Sequence, residues 1–587
     1  EISYTRILTY RKRKEQTEMK KSFMKKVLLV GFCIAMILSV TGCSSLRKEN
    51  PTDLKSFYGL VSGDEYVILL EGENVGTAYK DGDNIYLPYE LVNQSINDKF
   101  YLDSDFNRIL YTTPDEIEMF DVGGDTNTKL LNNQVYVSLE CLKSRTDMKS
   151  EVYTDPNRIA ITENFGEVSV CKPKSDTVIR QFDKDGADYM AKVSKGESLV
   201  IKDIMNDSWY RVVKDNGITG YIRINETNGA ETEQRVSSYQ GKEYSHITLD
   251  KTVCMGWHQV SGTAGNDSLT EVTKNGKGTL NVISPTWFKL ADTSGEITSY
   301  AQASYVKKAH EMGMKVWALA DDFTAGEDGT YYVGTVLAGY ESRQKLIKNL
   351  VNAVKDCGAD GLNIDYEKIY EDMANDYIEF IRELSIECRK NNIVLSVDTY
   401  VSQTYNQFYN RKGISEVADY LVIMGYDEHW AGDSEAGSVA SLPYVQKGIN
   451  EVLEYAPADR VINGIPFYTR IWTETKEGAG SEGTYVEDAV NGNYWLSSTA
   501  VGMEKAQTEL SSHGITPTWL EDLSQYYGEY ETNTGSVRIW LEEEKSVQAK
   551  LDFMKTAGIG GVACWKLGLE KDSVWTEIAD YVGTAKQ

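Results

Sequence analysis

Short apolar runs alternate with amphipathic stretches from about residue 246 to the end of the 587-residue chain. In the stretch 344–356, apolar residues recur every three or four positions, which is a helical period, and Gly358 follows as a stop signal. A glycine precedes an apolar run again at Gly313 and Gly558. The apolar stripe of 344–356 consists of Leu346, Ile347, Leu350, Val351 and Val354. This order predicts repeated units of helix, glycine and buried strand.

The apolar runs of this region predict eight strands. They cover residues 252–257, 280–284, 315–320, 360–366, 393–398, 419–424, 460–465 and 560–565. Because helical stretches separate most of them, they predict a closed (β/α)8 TIM barrel over 246–587. The longest interval, about 470–540, follows the seventh strand and is rich in aromatic residues and glycine. We expect an inserted α+β subdomain there, forming a wall of a cleft.

The sequence before the barrel indicates two further domains. Residues 64–165 contain a repeat at an offset of 50, in which the motif at 84–87 returns at 134–137 and the motif at 105–109 returns at 155–159. Such a repeat predicts two similar units of strands and a short helix that pack together. Residues 166–228 are strand-like throughout, with turn signals between the strands.

The beginning of the chain has the pattern of a targeting segment. Four lysines between residues 20 and 26 precede an apolar run from Val27 to Val40, and small residues and Cys43 follow. The run is too short for a comfortable membrane span, so residues 1–42 are predicted to be a secretory leader. Residues 43–63 are predicted to be a polar linker.

Composition excludes some classes of function. The chain has 61 basic and 88 acidic residues, a formal charge of −27, which argues against nucleic-acid binding and is explained by solubility alone. The five histidines do not cluster and the cysteines form no CxxC pair. We therefore expect no metal and no cofactor.

The segment DGLNIDYEK, residues 360–368, places polar residues at alternate positions of the fourth predicted strand. Asn363, Asp365 and Glu367 then share one face of the strand, because side chains alternate with a period of two. Burying two carboxyl groups and an amide on one face is costly unless they form a network or perform chemistry. Asp360 has the opposite parity, and we expect it to be structural.

Other candidate residues follow other strands of the predicted barrel. Tyr426 and Asp427 follow the sixth strand, Arg470 follows the seventh and Trp565 ends the eighth. In such barrels the active site lies at the carboxyl ends of the strands, so these residues are expected to converge with Glu367. Further candidates for the cleft wall, with ordinary packing an equal alternative, are Trp257, His258, Trp287, Asp322, Tyr400, His429 and Trp430.

Residues 246–587 resemble glycoside hydrolase family 18, whose fourth-strand signature is D-x-x-D-x-D-x-E. Asp360, Asp365 and Glu367 match this signature, whereas Asn363 stands where the family usually has aspartate. The motif Met424-Gly425-Tyr426-Asp427 and Trp565 match the sixth and eighth strands of the family. The motif at 465–468 with Arg470 looks most like the spore-cortex-lytic and spore-germination branch, which often has asparagine at position 363.

The resemblance implies the catalytic roles. Glu367 would be the general acid and later the base, and the acetamido group of the sugar would attack its own anomeric carbon. Asp365 would hold the acetamido N–H and Tyr426 would donate to the acetamido oxygen. Asn363 would hydrogen-bond Asp365. Four residues would bind the substrate. Asp427 would make a polar contact with the sugar and Trp565 would form an apolar floor under the ring, and the other two are Asn363 and Arg470.

The preceding segments also resemble known families. Residues 64–165 resemble the copper amine oxidase N-terminal-like domain, but because the segment has no cluster of histidines we expect no copper there. Residues 166–228 resemble a bacterial SH3-like small barrel, which would serve either as a contact to the cell wall or as a spacer. Residues 1–43 resemble a lipoprotein signal, which implies cleavage before Cys43 and lipidation of that residue.

Two functions follow as alternatives. The first is a lipid-anchored glycosidase of the bacterial surface that cleaves β-1,4 bonds at N-acetylglucosamine, as chitinases and N-acetylglucosaminidases do. Peptidoglycan, chitin and the chitobiose core of N-glycans all remain open as substrates. The second is a lectin-like protein that binds the cell wall through the same barrel without catalysis. The expected partners are an N-acetylglucosamine polysaccharide, the membrane and the wall, not nucleic acid.

Overall fold

A computed structural model describes residues 49–103, 105, 107–490 and 492–584. The predicted leader and Cys43 lie outside these described residues. The described residues divide into two compact units, one formed by those up to Ala78 with Met148–Ser237 and the other by those of Tyr79–Asp147 with those from Ser238 onward. In the described part of the chain, no helix has both the length and the apolar character needed to cross a bilayer.

The first unit is built almost entirely of strands. The short helix Leu54–Phe57 begins at Asp53, whose carboxylate accepts hydrogen bonds from the N–H groups of Lys55 and Ser56. Strand Glu65–Leu70 pairs in parallel with Asn157–Thr162, which pairs antiparallel with Lys149–Thr154.

Seven further strands of this unit form one antiparallel sheet. They are Gly166–Pro173, Thr177–Arg180, Tyr189–Val193, Leu199–Asn206, Trp209–Val213, Thr219–Arg223 and Thr227–Arg235. A separate apolar cluster that includes Cys171, Ile179 and Val212 fills its core. The strand-like character predicted for 166–228 thus agrees with the observed strands, which continue to Arg235, whereas the SH3-like assignment stays a prediction.

The second unit contains a closed barrel of eight parallel strands. They are β1 (Val253–His258), β2 (Val282–Leu290), β3 (Lys315–Asp321), β4 (Gly361–Asp365), β5 (Val394–Tyr400), β6 (Tyr420–Met424), β7 (Val461–Pro466) and β8 (Gly561–Trp565). Each strand pairs with its neighbours in chain order, and β1 pairs with both β2 and β8, which closes the barrel. The eight predicted strands and the TIM barrel are confirmed.

Helices cover the outside of the barrel. The longer ones are α1 (Ala303–Glu311), α2 (Tyr340–Cys357), α3 (Ala374–Lys390), α4 (Leu442–Leu453), α5 (Glu544–Ala557) and α6 (Val574–Thr584). The shorter ones are Leu269–Val272, Tyr332–Ala338 and Arg411–Val417. The predicted apolar stripe of α2 is buried against the barrel core. Helices α2 and α5 end at Gly358 and Gly558, which have left-handed φ angles of 78° and 68° that side chains other than glycine rarely adopt.

An antiparallel subdomain is inserted between β7 and α5, where the sequence predicted it. Its strands are Tyr468–Lys476, Thr484–Val486, Tyr494–Gly502, Thr518–Leu520, Gln525–Glu531 and Gly535–Leu541. The helix Met503–Ser512 lies against this sheet through a small apolar core that includes Leu510 and Ile539. The insertion therefore begins two residues before the predicted 470 and ends one residue after 540.

Residues 79–147 show the first part of the predicted repeat. Strands Asn84–Pro88 and Gln134–Ser138 lie 50 positions apart and pair antiparallel, and the short helices Tyr89–Leu91 and Leu139–Lys143 follow them. A three-stranded sheet comprises Phe100–Asp103, Arg108–Thr112 and Ile117–Asp121. The compact units divide the predicted 64–165 domain, because residues 79–147 pack with the barrel.

Buried polar contacts join residues 79–147 to barrel helix α3. The Tyr101 hydroxyl donates to Asp376 Oδ1 at 2.7 Å, and Arg382 Nη2 lies 2.9 Å from Asp98 Oδ2. The Thr112 hydroxyl donates to the fully buried Glu379. These contacts give the charged groups of α3 partners outside the barrel.

Candidate active site

Strand β4 presents its polar residues to the barrel interior and its apolar residues to the helices. All five residues of the strand are buried. Leu362 and Ile364 belong to the core between the strands and helices, and Tyr366 stacks on Phe380 of α3 with ring centroids 5.6 Å apart. Glu367 is partly buried beyond the end of the strand. The predicted alternation therefore brings Asn363, Asp365 and Glu367 to one side.

A cavity of about 130 Å³ opens at the carboxyl ends of the strands. Its lining residues come from five strands or the loops that follow them, and they are Trp257, Asp365, Glu367, Asp398, Tyr400, Met424, Tyr426, Asp427 and Trp565. Five of the predicted site residues, Asp365, Glu367, Tyr426, Asp427 and Trp565, thus meet at one place. Asn363 lies beneath it, fully buried.

Asn363 bonds a different carboxyl group from the one we expected. Its Oδ1 accepts from Trp257 Nε1 at 3.0 Å and from the Ser284 hydroxyl at 3.1 Å. Its Nδ2 is consequently directed to β5, where it donates to Asp398 Oδ1 at 2.7 Å. The expected bond to Asp365 is therefore wrong, because two donors on β1 and β2 fix the orientation of the amide.

Asp365 is a buried carboxyl group with an available oxygen. Its Oδ1 is buried and has no hydrogen-bond partner among the described residues. Burial raises the pKa of Asp365 well above its usual value, and the nearby carboxyl groups of Glu367 and Asp398 raise it further. An unpaired buried oxygen costs free energy, so this atom is suited to receive a donor from a bound molecule.

Glu367 is held through both its side chain and its backbone. The Tyr400 hydroxyl donates to Glu367 Oε2, and the Glu367 N–H donates to Asp322 Oδ1 at 2.9 Å. The N–H of Lys368 donates to the other Asp322 oxygen at 2.7 Å. Burial raises the pKa of Glu367, whereas the bond from Tyr400 opposes that rise. A carboxylic acid with a raised pKa and a fixed position is suited to donate a proton near neutral pH.

Tyr426 and Asp427 form the next part of the wall at the end of β6. The buried Tyr426 ring makes edge contacts with Trp257 and Tyr468, with centroids 6.3 and 6.4 Å apart. Burial raises the pKa of Tyr426 well above its usual value, so its hydroxyl keeps its proton. Asp427 accepts from the Tyr468 hydroxyl at 2.5 Å, and Arg470 Nη2 lies 3.7 Å from the same oxygen. Arg470, which was predicted to bind the substrate, therefore contacts Asp427 in the cavity wall rather than lining the cavity itself.

Trp565 lines both the cavity and a neighbouring groove, which we take together as one cleft. Its ring meets Trp257 edge-on, with centroids 5.8 Å apart. A second groove of about 470 Å³ shares Trp565, Asp365 and Glu367 with this cavity. The rest of its lining is Gln259, Val260, Ser261, Thr286, Lys289, Tyr300, Leu319, Asp321 and Phe323. The two carboxyl groups thus lie where the two parts of the cleft meet.

Asp360 lies at the opposite end of β4 from the cleft. It accepts from Lys315 Nζ and pairs with His310 Nε2, both at 2.7 Å, and it also accepts from the N–H of Val316 at 2.9 Å. These bonds connect β4 to α1 and β3. The structure accordingly places Asp360 away from the other signature residues.

The seven further candidates for the cleft wall differ in whether they line the cleft. Trp257 and Tyr400 line the cavity, and Asp322 holds the backbone beneath Glu367. His258 and Trp287 are buried and bonded to other core side chains, and His429 and Trp430 do not line either part of the cleft. Sequence reasoning missed Asp398, although it precedes Tyr400 by two positions on β5 and so repeats the alternation seen on β4.

Comparison with known proteins identifies the domain. Residues 288–570 match the family described as Glycosyl hydrolases family 18. An uncharacterized glycosylase of Bacillus subtilis, YvbX, is 26% identical over 332 residues, covering 54% of this chain and 88% of that protein. A cortical fragment-lytic enzyme of Bacillus anthracis is 24% identical over 243 residues, covering 40% of this chain and 52% of that enzyme. The chain thus spans most of the first relative and about half of the second.

A solved structure agrees with the fold. The crystal structure of the C-terminal domain of a proposed chitinase from Desulfitobacterium hafniense has a TM-score of 0.50 and 22% identity, and the match covers 58% of this chain and all of that domain. The family match includes β4, Tyr426, Asp427, Arg470 and Trp565. Residues 288–570 are therefore similar to the glycosyl hydrolases family 18, and the enzyme class of the chain is that of a glycosidase.

Proposed function

We propose that this glycosidase acts at the bacterial surface and cleaves β-1,4 linkages at N-acetylglucosamine by substrate-assisted, retaining catalysis. One observation carries the proposal: an Asp365 oxygen with no hydrogen-bond partner in the described part of the chain lies with Glu367 on the floor of an aromatic-lined cleft. The names of the relatives, which include a cortical fragment-lytic enzyme and chitinases, support a glycan with N-acetylated sugars as the substrate.

Glu367 acts first as the general acid. A glycosidic oxygen leaves poorly unless it is protonated, and proton donation by a positioned acid accelerates such steps by about 100- to 10,000-fold. Burial favours the protonated form of Glu367, and Asp322 fixes the backbone that carries it. After the leaving sugar departs, the Glu367 carboxylate accepts a proton from the water that completes hydrolysis.

The acetamido group of the substrate supplies the nucleophile. Its carbonyl oxygen attacks the anomeric carbon of the same sugar and forms a positively charged ring, as described for this family. The unpaired Asp365 oxygen accepts the acetamido N–H and stabilises the positive charge. Tyr426, which keeps its proton, donates a hydrogen bond to the acetamido oxygen and holds it in place.

Aromatic and polar side chains hold the sugar ring. Trp565 provides an apolar face under the ring, supported by the edge contact with Trp257. Asp427 contacts a hydroxyl group at the polar edge of the ring, and its own position is fixed by Tyr468 and Arg470. These contacts orient the anomeric carbon between Glu367 and the acetamido oxygen.

Location favours peptidoglycan as the substrate. The leader with Cys43 would attach the chain to the outer face of the membrane, and the strands of 166–235 would contact or reach the cell wall. Chitin and N-glycan cores have the same linkage and acetamido group. The relative activities on the three substrates therefore test the preference for peptidoglycan that we infer from the proposed location. They do not test the mechanism, which is the same for all three.

The first experiment compares Glu367→Gln with the wild type on a chromogenic chitobioside and on purified glycan strands. Because the amide cannot donate the proton, turnover should fall at least about 100-fold. Glu371→Gln is the matched control, since Glu371 is an exposed carboxylate on the same loop and should keep wild-type turnover. Equal turnover of the wild type and Glu367→Gln would remove the proposed acid.

Mass spectrometry of the products identifies the substrate. The wild type is incubated side by side with peptidoglycan strands, chitin oligomers and N-glycans. We expect products with a free reducing N-acetylglucosamine and the fastest release from peptidoglycan. Binding to these polymers with no product from any of them would favour the lectin-like function.

A further inference from the structure

Strand β5 contributes a carboxyl group that the β4 motif does not contain. Asp398 is 2% exposed and lines the cavity together with Asp365 and Glu367. Its Oδ1 receives the hydrogen bond from Asn363 Nδ2 at 2.7 Å. Three carboxyl groups from two neighbouring strands therefore share one small, largely buried space.

The orientation of Asn363 is matched to Asp398. Because the amide oxygen of Asn363 accepts from Trp257 and Ser284, only its NH2 group is available toward β5. An aspartate at position 363 would accept the same two bonds but would present a second carboxylate to Asp398. Two carboxylates facing each other in a buried site disfavour their own ionised forms.

The surroundings of Asp398 are acidic or neutral on every side. Asp365 and Glu367 face it from β4, Tyr426 from β6 and Tyr377 from α3, and Asn363 is a neutral donor. Within the described part of the chain, no lysine or arginine forms an ion pair with Asp398. Burial raises the pKa of Asp398 well above its usual value and the nearby Glu367 carboxyl group adds to that rise, whereas the neutral donors Asn363 and Trp257 oppose it. The carboxyl groups of the cluster therefore titrate as an interacting set.

We propose that Asp398 is a positioning residue for the reaction: held by Asn363, its carboxyl group keeps a proton on Glu367 over a wider pH range. This inference rests on the proposed function of the same site. Asp398 acts through Asp365 and Glu367 and need not touch the substrate. Asn363 has the role of a neutral donor that orients Asp398 without adding a further charge.

Asp398→Asn separates charge from hydrogen bonding. The new side chain can still accept from Asn363 through its amide oxygen but has no negative charge. The basic limb of the kcat/KM profile should move to lower pH by roughly one unit or more, because Glu367 loses a like-charged neighbour. The Tm should stay near that of the wild type. A folded variant with the wild-type pH profile would overturn the proposal.

The exchanged pair provides a second, independent variant. Asn363→Asp alone should lower kcat, because it adds a carboxyl group opposite Asp398. The double variant Asn363→Asp with Asp398→Asn again has one hydrogen-bond donor facing one acceptor between β4 and β5. It also has the same number of carboxyl groups as the wild type. Its basic limb should return toward that of the wild type. A double variant whose basic limb stays at lower pH than that of the wild type would contradict the matched pair, and this comparison holds even where Asp398→Asn alone does not fold.

A measurement without turnover separates this inference from the proposed function. Carbon-13 NMR titration of the carboxyl groups in the full chain reports the pKa of Glu367 directly. It should be lower in Asp398→Asn than in the wild type even if no glycan tested is cleaved. If the wild type cleaves no glycan but Asp398→Asn lowers the pKa of Glu367, the proposed substrate is wrong and the inference stands. If the wild type is active but Asp398→Asn leaves the pKa of Glu367 unchanged, the proposed function stands and the inference is wrong.

Discussion

At the scale of single residues, Glu367 is held between two side chains from neighbouring strands. Asp322, at the end of β3, accepts the backbone N–H groups of Glu367 and Lys368, and Tyr400, at the end of β5, donates to the Glu367 carboxyl group. Burial raises the pKa of Asp322 to about 7. The residues that fix the position of the acid, Asp322 and Tyr400, are therefore not part of the β4 signature.

Tyr400→Phe tests the hydrogen bond on the acid. The Tyr400 hydroxyl stabilises the ionised form of Glu367 and lowers its pKa, so its removal should raise that pKa further. The basic limb of the kcat/KM profile should move to higher pH, which is opposite to the shift expected for Asp398→Asn. A pH titration of both variants checks the signs. A shift to lower pH in Tyr400→Phe would contradict the account.

The residue scale also shows what the sequence could not determine. The alternation of Asn363, Asp365 and Glu367 was sufficient to predict that they share a face of β4. The partner of Asn363 was predicted wrongly, because the bonds from Trp257 and Ser284 that orient its amide come from strands more than 70 positions away. Short-range periodicity contains no information on such contacts between distant strands.

At the scale of elements, helix α2 and Gly358 determine where β4 begins. Gly358 donates its N–H to the carbonyl groups of Val354 and Lys355 at 3.0 and 3.2 Å, which ends the helix three residues before the strand. A left-handed residue at this position turns the chain back onto the barrel. The position of the carboxyl groups on β4 therefore depends on a turn at the other end of the strand.

Gly358→Ala tests this turn. A side chain in the left-handed region costs about 1–2 kcal/mol, so the free energy of unfolding should fall by that amount. Gly583→Ala is a control, because Gly583 lies within α6 without a left-handed φ and has no atoms near the position of a new Cβ. Chemical denaturation of the two variants measures the difference. Equal stability of Gly358→Ala and the wild type would show that the turn carries no strain.

The elements of the barrel were the easiest part to predict. Parallel strands buried on both sides appear as apolar runs, and the amphipathic helices between them follow a different period. The insertion at 468–541 was also found at its place, since it lengthens one interval between strands. Its six-stranded sheet could not be derived, because its strands are partly exposed and separated by variable loops.

At the scale of the whole molecule, residues 79–147 are part of the same compact unit as the barrel. Glu379 is fully buried and accepts from Thr112, and burial raises its pKa to about 7. Arg382 pairs with both Glu379 and Asp98. This arrangement was not predicted, since the sequence alone indicated a separate domain that ended before the barrel.

A chain that begins at Ser238 tests the contribution of residues 79–147. Its helix α3 would lose the contacts of Asp376, Glu379 and Arg382 with that segment, and leaving a buried charged group without its partner costs about 1–3 kcal/mol or more. We expect a clearly lower Tm than that of the full chain in the calorimeter. The same transition temperature for the barrel in both chains would contradict the assignment of 79–147 to the barrel unit.

The most direct test of the catalytic account is the rate on chitobiosides whose acetamido methyl group carries none, one, two or three fluorine atoms. Each fluorine withdraws electrons from the carbonyl oxygen while the leaving group and the linkage stay the same. If that oxygen attacks the anomeric carbon beside Asp365, kcat should fall steeply with every fluorine added. A kcat that does not change along the series would contradict the account, because the nucleophile would then have to come from elsewhere.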